Sequence, residues 1–234
     1  MTTLRSLIFV AWLYLSMAIF ALFLSPVLLF GPAPSMGVIR MWAAFVLFGL
    51  RWICGVKVEV RGLEHRPSGP ALIAGKHQGM LDVIAPFTFL PDPCYVMKKE
   101  LMVLPFFGWF AARTNRIAID RSAHSAALKG MVRQARARRD EGRQVLIFPE
   151  GTRTAPGAAP DYKPGIAALY RDLDCPCVPM ATNAGLHWPA HGFRRTPGTV
   201  VYEFLPPIPP GLKRAGFMAR LETELEAAST ALLD

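Results

Sequence analysis

Charged residues account for only 18% of this chain, against 52% hydrophobic. An ordinary soluble domain carries about 25% charged residues, so the deficit has a location. It lies at the N-terminus: from Ser6 to Ile39 there is no charged residue and no histidine. Cysteine is sparse as well. Cys54, Cys94, Cys175 and Cys177 form no C-x-x-C pair, and no nearby histidine completes a zinc-ligand spacing. That argues against a metal site and reads as free thiols in a reducing compartment. No G-x-S-x-G elbow accompanies the polar clusters, so a serine-hydrolase nucleophile is missing. There is no zinc finger, RNP-like aromatic block or basic-helix module, which leaves nucleic-acid binding with net charge alone in its favour. Internal repeats and low-complexity tracts are absent too.

What is present begins with that uncharged stretch. The run from Ser6 to Leu24 is long enough to cross a bilayer core, which needs about 20 apolar residues. Pro26 interrupts it, and Gly31-Pro32-Ala33-Pro34 reads as a turn. A second apolar run, Met41 to Leu50, is flanked by Arg40, Arg51 and Lys57. It is short for a full crossing, and its arginines are able to snorkel to headgroups. A cleaved signal peptide fits poorly, because the run is too long and no small-x-small site follows. The expectation is a two-helix membrane anchor over residues 1–55, re-entrant or partly spanning, followed by one domain over 56–234. A length of 234 residues accommodates one domain and an appendage. The net charge of +9 asks for an anionic partner. Beside a membrane segment, that points to lipid headgroups or a phosphorylated lipid.

After Val56 short apolar strands alternate with mixed segments. Strands are expected at Lys57–Arg61, Ala71–Lys76, Tyr95–Lys98, Arg116–Asp120, Gln144–Pro149, Cys177–Thr182 and Thr199–Leu205. A helix is expected over Ser122–Glu141, with Ser122 as its cap, and an amphipathic one over Gly216–Leu233, with Phe217, Leu221, Leu225 and Ala228 on one side. Strand–helix alternation gives an α/β class, a mixed sheet flanked by helices.

Four clusters carry the polar chemistry. His77 and Asp82 follow the apolar strand ALIAGK, and functional groups tend to emerge at strand C-termini in α/β domains. Five residues on one regular helix would set them roughly 140° apart. With His77 in the turn and Asp82 in the first helical turn, the carboxylate reaches back to the imidazole, an arrangement that suits a general base. The bland alternative is a surface histidine near a capping aspartate. Phe148-Pro149-Glu150-Gly151-Thr152-Arg153 follows the strand QVLIF. There Gly151 allows a tight turn, Arg153 offers a forked donor to a phosphate, and Glu150 suits holding an arginine or accepting from a substrate hydroxyl. Its bland alternative is a loop with a surface ion pair. Arg116 and Arg121 bracket a third strand, and ordinary solvated charge is the default for either alone. Cys177-Val178-Pro179 reads as a core strand with an edge proline.

Together and in this order, H-x4-D at 77–82, an I-D-R-like block ending at Arg121, F-P-E-G-T-R at 148–153 and V-P at 178–179 resemble the glycerolipid acyltransferase family, specifically the 1-acyl-sn-glycerol-3-phosphate (lysophosphatidic acid), PlsC-type acyltransferases. The peptide from Lys98 to Phe110 is also similar to the family's segment before its second block. The likeness covers roughly residues 55–210, and members commonly carry a hydrophobic N-terminal anchor. It implies acyl transfer from a thioester donor, acyl-CoA or acyl carrier protein, to the sn-2 hydroxyl of lysophosphatidic acid. His77 would be the base and Asp82 its orienting group. Arg121 and Arg153 would hold the phosphate, with Arg116, Lys98 and Lys99 as weaker candidates, and Glu150, Gly151 and Thr152 would shape the pocket. Neither cofactor nor metal is implied. The oxyanion donor is open, with backbone N–H groups of residues 78–82 as a guess. The arginines of the Ser122–Glu141 helix would face water, headgroups or an acidic carrier protein. One departure is Gly79, where members often have Ser or Thr. That hydroxyl would be a helix cap, a role glycine partly fills. The implied location is a bacterial-type inner membrane, with the active site on the cytoplasmic side. Alternatives are another lysolipid acceptor, such as lyso-ornithine lipid, and a non-catalytic membrane-binding protein.

Overall fold

Three sheet strands have every residue buried: β2 (Ala71–Gly75), β5 (Gln144–Ile147) and β6 (Cys177–Thr182). Runs of this kind, apolar on both faces, belong in the middle of a sheet covered on both sides, and that is where the computed structural model of the chain, which describes residues 1–120 and 124–233, places them. With β1 (Val56–Arg61), β3 (Pro93–Lys98), β4 (Ile117–Ile119) and β7 (Gly198–Phe204) they form one sheet in the order β1-β7-β6-β2-β5-β3-β4. All neighbours are parallel except β6 and β7. The sheet is therefore mixed, and each expected strand is found within a few residues of its expected limits. Pro179 sits in an interior strand, not at an edge. Its missing N–H falls where pairing with β7 runs out, since the β6–β7 register begins at Met180 and Phe204.

Two apolar layers cover the sheet. On one face pack α6 (His124–Asp140), α7 (Gly165–Leu173) and α9 (Arg214–Ala231), around Leu72, Val145, Leu169, Phe217, Leu221 and Leu225. The sequence gives no strong notice of α7, only nine residues long, although Ile166, Leu169, Tyr170 and Leu173 share one helical face. Arg136 bonds Asp172 at 2.7 Å and Arg139 reaches the Leu173 carbonyl, so the arginines of α6 grip the end of α7 and are not all free in water. Ser122, the expected cap of α6, lies outside the described residues.

The other face is covered by the N-terminal hairpin and the short helices α3 (Leu81–Ile84), α4 (Pro86–Phe89) and α8 (Ala184–His187). The hairpin consists of α1 (Thr2–Leu24), a 3-10 turn (Ser25–Phe30) and α2 (Pro32–Cys54). At 23 residues α2 is longer than the expected second run. Pro32 and Pro34 lie in its first turn, where a missing N–H breaks no helical bond. The two helices approach closely, because a Cβ on Gly49 would come within 2.2 Å of the Trp12 indole. Trp12 stacks on Phe45, and the Trp42 indole donates to Ser16 Oγ at 3.3 Å. Both segments are long and apolar enough to cross a membrane. Their inner face is continuous with the domain core: Phe9, Leu13, Val46 and Leu50 share a cluster with Val56, Ile73, Leu81 and Trp188.

The domain holds the hairpin at both of its ends. Near Thr2, the Arg195 N–H donates to Ser6 Oγ at 2.9 Å and the Phe9 ring meets Trp188 edge-on at 5.3 Å. At the far end Arg113 donates to the Leu29 carbonyl at 3.5 Å, and Arg116 reaches Met36 Sδ at 3.4 Å. Arg113 belongs to α5 (Phe107–Arg113), which packs against α2.

Candidate active site

β2 and β5 lie side by side and parallel, with Ala74 opposite Ile147. The segments that follow them must therefore emerge together. His77 comes after β2, and Phe148 to Glu150 come after β5. The two loops are pinned: Thr154 N–H donates to the His77 carbonyl at 2.8 Å, and His77 N–H donates to Glu150 Oε2 at 3.3 Å. The His77 ring stacks on Phe148 at 4.1 Å between centroids.

Asp82 lies in the first turn of α3 with its side chain fully buried, and its Oδ2 is 3.2 Å from His77 Nδ1. A carboxylate only accepts, so Nδ1 carries the proton and Nε2 is the basic nitrogen. The His77 side chain is 15% exposed, and no described residue bonds Nε2. Asp82 is itself held by three more donors. Gln78 and Gly79 N–H groups reach Oδ2 at 2.6 and 2.8 Å, and the Tyr202 hydroxyl donates to Oδ1 at 2.9 Å. Burial and the neighbouring Asp82 charge push the Tyr202 phenol well above its ordinary value, so it stays a donor.

This arrangement narrows one expectation and corrects another. The amides of Gln78 and Gly79 are engaged by Asp82, which removes these two from the residues 78–82 expected to offer oxyanion donors. Gly79 is not a substitute cap, either: a Cβ there would lie 2.3 Å from the Trp188 carbonyl oxygen, so glycine is required by close packing.

Glu150 is buried and faces a lysine, not an arginine. Its Oε1 accepts from Lys76 Nζ at 2.6 Å and from Thr154 Oγ1 at 2.8 Å. Lys76 is buried too, and its ammonium also donates to Glu226 Oε1 of α9 at 2.8 Å. Tyr162 donates to the same Glu226 oxygen at 2.6 Å, and burial together with that carboxylate raises its phenol. One ammonium thus ties the loop after β5 to the C-terminal helix, directly behind His77.

Gly151 has φ +69° and closes the turn with an N–H bond to the Phe148 carbonyl at 3.0 Å. Thr152 and Arg153 are exposed on the rim of this loop, and Arg153 donates to the Ala190 carbonyl at 3.1 Å. Arg121 lies outside the described residues. Arg116 is buried over the Phe87 ring at 4.8 Å and bonds the Pro93 carbonyl, and burial lowers its guanidinium to about 10. It is a packing cation, not a phosphate ligand. His77, Asp82, Glu150 and Gly151 are therefore gathered at one sheet edge, with Thr152 and Arg153 at its rim. Tyr202, Lys76, Tyr162 and Glu226 were not singled out by sequence reasoning. No local spacing joins Tyr202 or Glu226 to His77. Among the described residues no group of three or more side chains is placed to hold a metal ion.

Residues 57–183, just over half of the chain, match the family model described as Acyltransferase. The chain belongs to the acyltransferase family. Among its relatives is a 1-acyl-sn-glycerol-3-phosphate acyltransferase of Pseudomonas aeruginosa, 39% identical over 178 residues, which are 76% of this acyltransferase and 69% of that protein. The protein of that name from Limnanthes alba is 31% identical over 159 residues, or 67% of this chain and 56% of the plant protein. The alpha form from Homo sapiens is 30% identical over 167 residues, covering 70% and 59% respectively. The acyltransferase thus spans well under two thirds of the plant and human proteins. The crystal structure of the 1-acyl-sn-glycerophosphate acyltransferase from Thermotoga maritima shares its fold, with TM-score 0.82, 20% identity, and coverage of 99% of this chain and 98% of that one. That coverage takes in the N-terminal hairpin. The matched family region contains His77, Asp82 and Glu150, whereas Tyr202 and Glu226 lie beyond it.

Proposed function

We propose that this acyltransferase moves a fatty acyl chain from a thioester donor, acyl-CoA or acyl carrier protein, to the sn-2 hydroxyl of lysophosphatidic acid, giving phosphatidic acid. The observation that carries the reading is the His77–Asp82 pair. The buried carboxylate fixes the ring tautomer and leaves Nε2 at the exposed end of the imidazole. Nε2 takes the hydroxyl proton as the alcohol oxygen bonds to the thioester carbonyl carbon. Collapse of the tetrahedral intermediate breaks the C–S bond, and the departing thiolate takes the proton back from the imidazolium. His77 ends neutral, as it began, and no acyl-enzyme is formed. Asp82, itself held by Tyr202 and two amides, keeps its position while the ring charge changes.

The names of the relatives support a lysophosphatidic acid acceptor, as does the formal charge of +9. Arg153 is our choice for the phosphate, together with Arg121, and Glu150, Gly151 and Thr152 shape the turn that presents Arg153. The hairpin anchors the protein to a membrane, of the bacterial inner type, with the site on the cytoplasmic side where thioester donors are found. Its attachment along the domain supports a hairpin held in one leaflet. A helix of 23 residues is about 35 Å long, and a crossing would carry Arg113 and Arg116 to the depth of the hydrocarbon, at high cost.

Purified, detergent-solubilised protein is to be assayed beside His77→Ala, with lysophosphatidic acid and each donor separately. Phosphatidic acid from the wild type, lost in the folded variant, is the expected result and names the donor. An equally active His77→Ala variant would remove the base from the mechanism, and turnover only on a different lysolipid would remove the acceptor.

A further inference from the structure

Exposed apolar surface is not confined to the hairpin. Directly after β3, a 3-10 turn (Lys99–Val103) and a tight bend lead into α5, and residues 101–109, which include the first turn of that helix, form a tip. Val103 is 81% exposed, and Leu104, Phe107 and Trp109 are about half exposed. Nothing in the described residues covers them. The loop is nonetheless ordered. Gly108 N–H donates to the Leu104 carbonyl at 2.8 Å and Phe110 N–H to the Phe106 carbonyl at 3.0 Å. A Cβ on Gly108 would lie 2.0 Å from the Met102 carbonyl oxygen, so the chain doubles back too closely for any side chain there. Phe106 holds φ +61°, a strained conformation for a bulky residue, and its ring meets Trp109 at 4.9 Å. The fold therefore accepts strain to hold a rigid apolar tip outward, with internal backbone bonds that would persist against lipid.

Its surroundings name the partner. Arg113, at the end of α5, bonds the Leu29 carbonyl in the hairpin turn, where Leu29 and Phe30 are 81% and 76% exposed. The tip is thus continuous with the outer surface of the hairpin. Lys98 and Arg113 flank it and are exposed, as cations at headgroup level would be. β3 runs parallel to β5, and β5 to β2, so the loop leaves the sheet at the same edge as His77 and Glu150.

We propose that residues 101–109 are a second lipid-contacting surface, inserted into the same phospholipid leaflet as the hairpin, which sets the catalytic edge of the sheet against the membrane. The proposal rests on the membrane reading given above.

All four native cysteines are buried, so a thiol introduced at the surface takes a label selectively. Val103→Cys, Leu22→Cys on the outer face of α1 and Arg214→Cys at the start of α9 are each to carry a fluorophore in the full-length protein. The proteins are reconstituted with phosphatidylethanolamine–phosphatidylglycerol vesicles and exposed to aqueous iodide or to nitroxide-bearing lipid. The expected result is that Leu22 and Val103 are both quenched by the lipid and severalfold less by iodide than Arg214. A Val103 label open to iodide beside a lipid-quenched Leu22 label would overturn this proposal alone. Iodide access at both would overturn the membrane reading with it. A Val103 label reached by neither quencher would mean that protein, such as a second copy of the chain, covers the tip, and would also overturn the proposal.

Discussion

Asp82 collects four hydrogen bonds on two oxygens, and one of them comes from a strand far along the chain. The Tyr202 hydroxyl is buried with it. In Tyr202→Phe the carboxylate loses a donor that water cannot replace. We expect a stability loss of about 1–2 kcal/mol in denaturant titrations, together with slower turnover and unchanged Michaelis constants. Normal turnover in the folded variant would limit Tyr202 to packing. Gly79→Ser is a second test at this scale. The added Cβ meets a backbone carbonyl, which cannot swing aside as a flexible side chain would, and about 1–3 kcal/mol of destabilisation is expected. An unaltered melting temperature would show that the loop shifts freely. The partnership of His77 with Asp82 was legible because both ends lie within six residues and need only a turn followed by a helix start. Tyr202 was not, because strand alternation says that it points inward without saying at what.

The strands and the longer helices were legible for a similar reason: their apolar periodicity is local and their burial is one-sided or complete. What the periodicity does not convey is order in the sheet. Nothing in CVPMAT tells that β6 lies between β2 and β7, and so Pro179 reads as an edge residue. Helix α9 offers a comparable case. Its apolar face marked it as amphipathic, but Glu226 on its polar side reaches Lys76 and shares that ammonium with Glu150. Glu226→Gln keeps the helix and removes the charge. Turnover about tenfold slower, equal to about 1.4 kcal/mol of barrier, is the expected outcome in steady-state kinetics. No change would reduce α9 to a cover for the sheet.

At the scale of the whole molecule, several buried acids share one direction. Burial raises the thiols of Cys94, Cys175 and Cys177 above 9.0, and the phenols of Tyr95, Tyr162 and Tyr202 above 10.0. A raised folded value favours the protonated native state, so this stability is full below the unfolded value and is lost as pH rises toward the folded one. Arg116 and Arg195, lowered by burial to about 10, act in the opposite sense, but only above that pH. The urea midpoint followed by tryptophan fluorescence should hold steady to pH 8.5 and fall between 9 and 10. A midpoint that rises in that window would overturn this reading, because the two arginines act only above it.

The register of β1 against β7 has a consequence in time. β1 follows the hairpin at once, yet its strand partner is the last strand of the sheet. A nascent chain therefore delivers the hairpin and β1 first and must wait for almost the entire domain to be synthesised before that pair can close. The hairpin is tied into the sheet by the last of its strands to leave the ribosome, so a chain cut short before Gly198 would carry β1 unpaired.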